Sequence, residues 1–222
     1  RKTADEICET TLALVTKRLP KYLNLSPKEI QVLCPMKRGT AGINALNAEL
    51  QKSINPPSPS KKEVRRGDFI FREGDKVMQT ANNYDLTWKQ IVGDRIEAGK
   101  GVFNGDIGEI ELINTQTMQF TVRFDDDKMA VYANENLDDL VLAYAVTIHK
   151  SQGCEFDAVV ISLDANYMLQ TRNLLYTAVT RAKKLVVIVG AKGTIARMIK
   201  NNETARRYSL LVNLIDEFSV KV

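Results

Sequence analysis

Three uninterrupted runs of apolar and β-branched residues, Leu140 to Val146, Ala158 to Leu163 and Leu185 to Val189, restrict the fold more than any other feature of this chain. None alternates polar with apolar positions, so none reads as a strand with one wet face. They read as strands buried on both faces, and the helical stretches between them are those of a parallel sheet covered by helices. A fourth run, Glu29 to Cys34, ends at Pro35 and precedes a helical pattern from Ala41 to Ile54, a strand-to-helix unit. Ahead of it, the capping-box pattern Thr3-x-x-Glu6 opens a helix carried by Ile7, Leu14, Val15 and Leu19, expected to stop at Pro20.

From Gly67 to Asp139 the texture changes. Short strand-like runs, Lys76 to Thr80, Gly108 to Asn114, Gln119 to Phe124 and Met129 to Tyr132, are separated by Gly, Asn and Asp, which suggests a small antiparallel barrel. The fold class is therefore α/β: one domain made of residues 1–66 and 140–222, interrupted by a β-rich insertion at 67–139. Charge follows the same division. Nine basic against five acidic residues give +4 over 1–60, eleven against sixteen give −5 over 61–140, and eleven against six give +5 over 141–222. A polyanion would meet the flanking segments rather than the insert.

Several classes are disfavoured. No apolar run approaches the roughly 18 to 20 residues of a membrane span, and the start of the chain has no signal-like stretch, so no membrane partner and a cytoplasmic location are expected. The three cysteines, Cys8, Cys34 and Cys154, are far apart and read as buried reduced thiols, and the single histidine, His149, makes a zinc site improbable; no metal ligands are assigned. The chain starts without methionine and enters a helix signal at once, which reads as part of a longer polypeptide.

Polar donors gather after the Leu140 to Val146 run. Thr147, His149, Lys150 and Ser151 place hydroxyls, an ammonium and free backbone N–H groups at a strand end, suited to phosphate; a capped turn with a satisfied histidine is the competing reading. Farther on, Asn173 to Lys184 reads as a helix that leads into the last strand, with Arg181 at its end. A guanidinium there could reach a nucleotide γ-phosphate, although arginines at helix ends are common.

Taken in order, these stretches resemble superfamily 1 helicases of the RecD/TraA type, a group that includes the α subunit of exodeoxyribonuclease V. Thr147-Ile148-His149-Lys150-Ser151-Gln152-Gly153-Cys154-Glu155-Phe156 is similar to helicase motif V, Tyr176-Thr177-Ala178-Val179-Thr180-Arg181-Ala182 to motif VI, and Val32 to Gly39, continuing into Gly42 to Asn47, to motif IV. In the insert, Gly74 to Thr80, Asn82-Asn83-Tyr84 and Val102 to Gly108 resemble the Src-homology-3-like barrel of these enzymes. The resemblance implies a RecA-like second motor domain with an inserted SH3-like barrel. It makes Arg181 an arginine finger, Arg38 a second cation near the γ-phosphate, Glu155 a ribose partner and Gly153 part of the nucleotide-side turn, with Thr147, His149, Lys150 and Ser151 facing single-stranded DNA. It implies ATP and Mg²⁺ as cofactors of a longer parent. It also implies as partners an N-terminal motor domain and possible further subunits of a helicase–nuclease complex, five-prime to three-prime movement, and a role in recombinational repair or conjugative transfer.

A phosphate-binding loop, G-x-x-x-x-G-K-[ST], is absent. The nearest imitation, Gly93 to Lys100, has five residues between its glycines and a glycine after the lysine, so this chain by itself is expected not to hydrolyse ATP. A non-catalytic nucleic-acid-binding or adaptor module is the alternative. Tyr84, Trp88 and Phe103 in the insert could stack on bases or simply pack.

Overall fold

The computed structural model describes residues 3–124, 126–164 and 171–202. Helix α1 (Ala4–Ala13) starts where expected, with the Thr3 hydroxyl accepting from the Glu6 N–H at 3.2 Å. It does not stop at Pro20. A π-helical stretch, Leu14–Arg18, in which the Leu19 N–H reaches back to the Leu14 carbonyl, leads into α2 (Leu19–Leu23), which ends at Asn24 with φ 54°. The wider turn accommodates a ring that would clash in a regular helix and that has no N–H to donate.

Strand β1 (Ile30–Cys34) is buried along its whole length, and α3 (Ile43–Ile54) packs Leu46 and Leu50 against the core. A hairpin, β2 (Glu63–Arg66) and β3 (Phe69–Arg72), follows. The next strands are β4 (Lys76–Gln79), β5 (Asn83–Val92), β6 (Arg95–Val102), β7 (Ile107–Asn114), β8 (Gln119–Phe124), β9 (Met129–Tyr132) and β10 (Leu140–Leu142). They form one antiparallel sheet of seven strands in the order β10-β4-β7-β8-β9-β5-β6, centred on buried Ile110, Ile113, Phe120, Val122 and Tyr132. Strands β5 and β6 have no counterpart in the sequence reading: β6 is largely exposed and without an apolar period, whereas β5 carries a period-two signal, Tyr84, Leu86 and Trp88 alternating with Asp85, Thr87 and Lys89, that the reading missed. The loop imitation at Gly93 to Lys100 is their turn plus strand β6, not a strand-to-helix loop: Val92 pairs with Arg95 across Gly93 and Asp94.

The run Leu140 to Val146 is not one strand. Its first part, β10, pairs antiparallel with β4, whereas β11 (Ala145–Thr147) joins a parallel sheet beside β1. With β12 (Phe156–Leu163) and β13 (Ala182–Gly190) that sheet has the order β11-β1-β12-β13, flanked by α4 (Arg172–Val179) and α5 (Lys192–Lys200). β1 is buried throughout and β12 from Ala158 on, while β13, at an edge, is only half-buried among the described residues.

The passage from one sheet to the other is held by polar groups. The Gln31 amide donates to the carbonyls of Ala143 and Tyr144 at 3.1 and 3.3 Å, and Lys76 Nζ donates to Gln31 Oε1 and the Lys28 carbonyl at 2.9 and 2.8 Å. Beside them, the fully buried Asp75 carboxylate accepts from Gln51, Asn55, the Arg72 N–H and the Tyr144 hydroxyl. Buried polar groups are tolerable only when satisfied in this way, and once satisfied they fix a unique junction.

Candidate functional site

Strand β11 brings Thr147 to the carboxyl end of the parallel sheet, level with Cys34 of β1. The strand is locked from α3 by Asn47, whose side chain imitates a neighbouring strand: its amide donates to the Ala145 carbonyl and its oxygen accepts from the Ala145 N–H, both at 2.8 Å. The chain then enters a 3₁₀ turn, Ile148–Ser151, in which Thr147 Oγ1 accepts from the Lys150 N–H at 3.3 Å. Ile148 and Ser151 point inward. The Ser151 hydroxyl donates to the Ile148 carbonyl at 2.8 Å and is fully buried, so Ser151 supports the turn instead of offering its hydroxyl to a ligand. His149 is exposed and Lys150 half-buried.

Lys150, Thr147, Lys37 and Asn44 line a cleft of ≈ 250 Å³ between the turn and the start of α3, and no carboxylate lines it. Burial, and then the charge of Lys37, push the Lys150 ammonium below its ordinary pKa. Neither ammonium has an ion-pair partner among the described residues, and the two cations face a cleft that is otherwise largely apolar, with Ile43, Phe69 and Val141 on its wall. Lys37 and Asn44 were not among the expected site residues; the signal was the cation pair Lys37-Arg38 at the end of a buried strand, read there for Arg38 alone.

At the far end of the same connection the chain turns at Gly153, whose φ of +89° disfavours side chains. No atom lies within 4 Å of its Cβ position, so the backbone conformation by itself calls for a glycine here. Arg181 lies between α4 and β13. Its guanidinium donates to the Thr177 carbonyl at 3.2 Å, the Cys154 carbonyl at 3.1 Å and Thr180 Oγ1 at 3.2 Å, and no carboxylate is within ion-pair distance among the described residues. Glu155 is exposed and stands 3.8 Å from Lys183. Cys34 and Cys8 are buried thiols as expected, with Cys34 pushed up to about 12 by burial; Cys154 is only half-buried, against the Gly105 carbonyl at 3.6 Å.

The structure thus gathers Thr147 and Lys150 with Lys37, sets His149 on the outer side of their turn, and gathers Gly153, Glu155 and Arg181 at the other end. Arg38 follows Lys37 beyond the carboxyl end of β1. It is exposed in the loop after β1, whereas Arg181 precedes β13 at the level of Phe156. About six residues of strand separate the two levels, roughly 20 Å at about 3.3 Å per residue.

Residues 46–124 match the family model described as the ATP-dependent RecD-like DNA helicase SH3 domain, and residues 142–189 match the UvrD-like helicase C-terminal domain. The ATP-dependent RecD2 DNA helicase of Deinococcus radiodurans is 32% identical over 83% of this chain. The chain is similar to RecD-like helicases over most of its length. A second relative, the RecBCD enzyme subunit RecD of Mycolicibacterium smegmatis, is 32% identical over 78% of this chain. The chain spans about a quarter of the length of these curated relatives, 23% and 27% respectively. Among solved structures, a Pif1 helicase from Bacteroides in complex with ADP-AlF3 and ssDNA is 20% identical, with a TM-score of 0.48 over 98% of this chain and 51% of that one. No helix among the described residues is long and apolar enough to cross a membrane.

Proposed function

We propose that this chain is the second RecA-like motor domain of an ATP-dependent DNA helicase, residues 1–66 and 140–222, carrying an SH3-like barrel at 67–139. The observation that carries the reading is the bond from the Arg181 guanidinium to the Cys154 carbonyl, 3.1 Å long. It joins the two stretches that resemble motifs V and VI, so the residue at the nucleotide side is mechanically attached to the turn that begins at Thr147.

In this reading ATP is cradled by the phosphate-binding loop of a first motor domain, because this sequence has none, and Mg²⁺ is held there too, since no cluster of three or more metal-ligating side chains occurs among the described residues. This chain supplies fixed charge. Arg181, held at three points and free of carboxylates, faces the γ-phosphate, where a guanidinium stabilises the charge that spreads over the oxygens during transfer. Glu155 meets the ribose. Lys150 and Lys37, with Thr147, take the phosphates of single-stranded DNA, and His149 lies along the strand. Closure of the two motor domains on ATP then shifts the strand, and the parent acts in recombinational repair or conjugative transfer in the cytoplasm, alone or within a helicase–nuclease complex.

The test is Arg181→Ala in the full-length protein. Hydrolysis should fall by about 10³ to 10⁵ while the fold and DNA affinity persist. A folded variant with wild-type hydrolysis would end the arginine-finger assignment.

A further inference from the structure

The β5–β6 hairpin runs past the rest of its sheet. β9 pairs with β5 only at Trp88 and Lys89, so residues 90–97 project as a two-stranded ribbon without a further strand beside them among the described residues. Trp88 faces inward, packed over Gly99 and against the core. Side chains alternate along a strand, so Thr87, Lys89 and Ile91 face outward. Their cross-strand partners Lys100, Ala98 and Ile96 share that face, as does Met129 of β9, which stands beside Lys89. Two residues along β9, Val131 pairs with Thr121 of β8, and Thr121 with Leu112 of β7.

The outer face of β6-β5-β9-β8-β7 therefore carries Ile96, Ile91, Val131 and Leu112, which are 72%, 72%, 52% and 52% exposed. With about 4.8 Å between strands, the five strands are roughly 19 Å across. Facing isoleucines support their own ribbon. Val131 and Leu112 continue the apolar surface over strands that are already anchored by a buried inner face, and exposed apolar surface of this extent calls for a partner.

Charge selects the partner. Lys89 and Lys100 are exposed on this face, and neither has an ion-pair partner among the described residues. Arg123, the third cation, is already paired with Glu111 at 2.5 Å and lies 3.8 Å from Asp127. A second copy docked through the same face would bring lysines to lysines, because a two-fold contact is self-complementary. A nucleic-acid strand would satisfy the lysines but leave the aliphatic side chains against phosphates, and none of these positions offers an aromatic ring to a base. We propose that this face docks an acidic amphipathic segment of a partner protein, with aliphatic residues on the four apolar side chains and carboxylates on Lys89 and Lys100. None of these residues lines the Lys37–Lys150 cleft, so the proposal stands apart from the DNA reading.

The test uses the full-length protein and three fluorescein-labelled helical peptides of about 14 residues, long enough at about 1.5 Å per residue to cross the face. One has leucines along one side and glutamates elsewhere, the second has lysines for the glutamates, and the third is the acidic peptide in scrambled order. By fluorescence anisotropy the first should bind, and the other two at least ~10-fold more weakly. Ile91→Ser/Val131→Ser should weaken the first by about 10-fold or more, and Lys89→Glu/Lys100→Glu should reverse the preference between the acidic and basic peptides. Both lysines are exposed, so the charge-reversed variant decides the matter even where the serine variant folds poorly. The proposal is overturned if wild type binds the acidic and basic peptides alike or binds neither, if a folded serine variant binds as wild type does, or if charge reversal leaves the preference unchanged. It also falls if the charge-reversed variant loses affinity for single-stranded DNA and not for the peptide, or if the serine variant dissolves a wild-type dimer.

Discussion

Replacing Asp75 by Ala removes the acceptor that ties α3, the β3–β4 turn and the junction between the sheets. Four donors converge on this carboxylate: Gln51 Nε2 at 2.5 Å, Asn55 Nδ2 at 2.7 Å, the Arg72 N–H at 2.7 Å and the Tyr144 hydroxyl at 3.0 Å. Gln51 and Asn55 keep a second acceptor each, the carbonyls of Ile70 and Glu73. The Arg72 N–H and the Tyr144 hydroxyl, both in buried residues, are left without one. Two orphaned donors cost about 2 to 6 kcal/mol. Part is returned because the carboxylate is itself expensive to bury, so the net loss should be about 2 to 5 kcal/mol, or ~4 to 20 °C in melting temperature for a chain of this size. Tyr144→Phe, which leaves the carboxylate three donors, should cost only about 1 kcal/mol.

The same residue has a pH signature. Burial raises the Asp75 pKa above the ordinary carboxylate value, the four donors opposing only in part. A raised folded-state pKa means that the folded protein binds the proton more readily, so this stabilisation is complete below the unfolded value near ~3.9 and is lost as pH rises through the folded one. Wild type should therefore gain on Asp75→Asn as pH falls from neutral towards 4. Guanidinium titrations of wild type and the three variants across that range measure all of this. An Asp75→Ala loss below about 1 kcal/mol, or a wild-type advantage that shrinks on acidification, would refute the reasoning.

Lys150→Ala should weaken single-stranded DNA binding and lower the slope of log affinity against log salt by ~0.7, the value of one phosphate contact; an unchanged slope removes Lys150 from the track. His149→Ala should weaken DNA binding and DNA-stimulated hydrolysis of the full-length protein without changing its melting temperature, and unaltered stimulation would exclude the ring from the interface. In Gly42→Ala the new Cβ meets the Arg38 carbonyl carbon at 2.6 Å and the Lys37 carbonyl oxygen at 2.8 Å, so the loop carrying Lys37 must shift, at about 1 to 3 kcal/mol by denaturant titration; a cost near zero would show that the loop yields freely. The 222-residue chain with saturating single-stranded DNA should release no phosphate, and turnover of ~1 to 100 per second would contradict the division of the nucleotide site between two domains.

Much of the site was legible because its chemistry is local. The turn from Thr147 to Phe156 and the stretch from Tyr176 to Arg181, which leaves α4 and enters β13, are contiguous words in the chain, and a buried strand before each fixes where they emerge. The fully buried strands β1 and β12 were equally legible, since a run of β-branched residues between turn signals admits few alternatives. The hairpin β5–β6 was missed: the alternation of Tyr84, Leu86 and Trp88 was a usable strand signal, but β6 carries no apolar period and is specified by pairing partners such as Val92 and Arg95.

By itself the sequence determined the α/β class, the β-rich stretch between the two basic segments, and the residue types available for phosphate contact. Tertiary structure decided which of them meet. It split Leu140 to Val146 between two sheets, since an apolar run records burial but not the direction of its neighbours. It also turned Ser151 inward, put Lys37 beside Lys150, and left Arg38 beyond the carboxyl end of β1 and Arg181 ahead of the amino end of β13, because strand register, which only long-range pairing fixes, determines the end at which each side chain emerges.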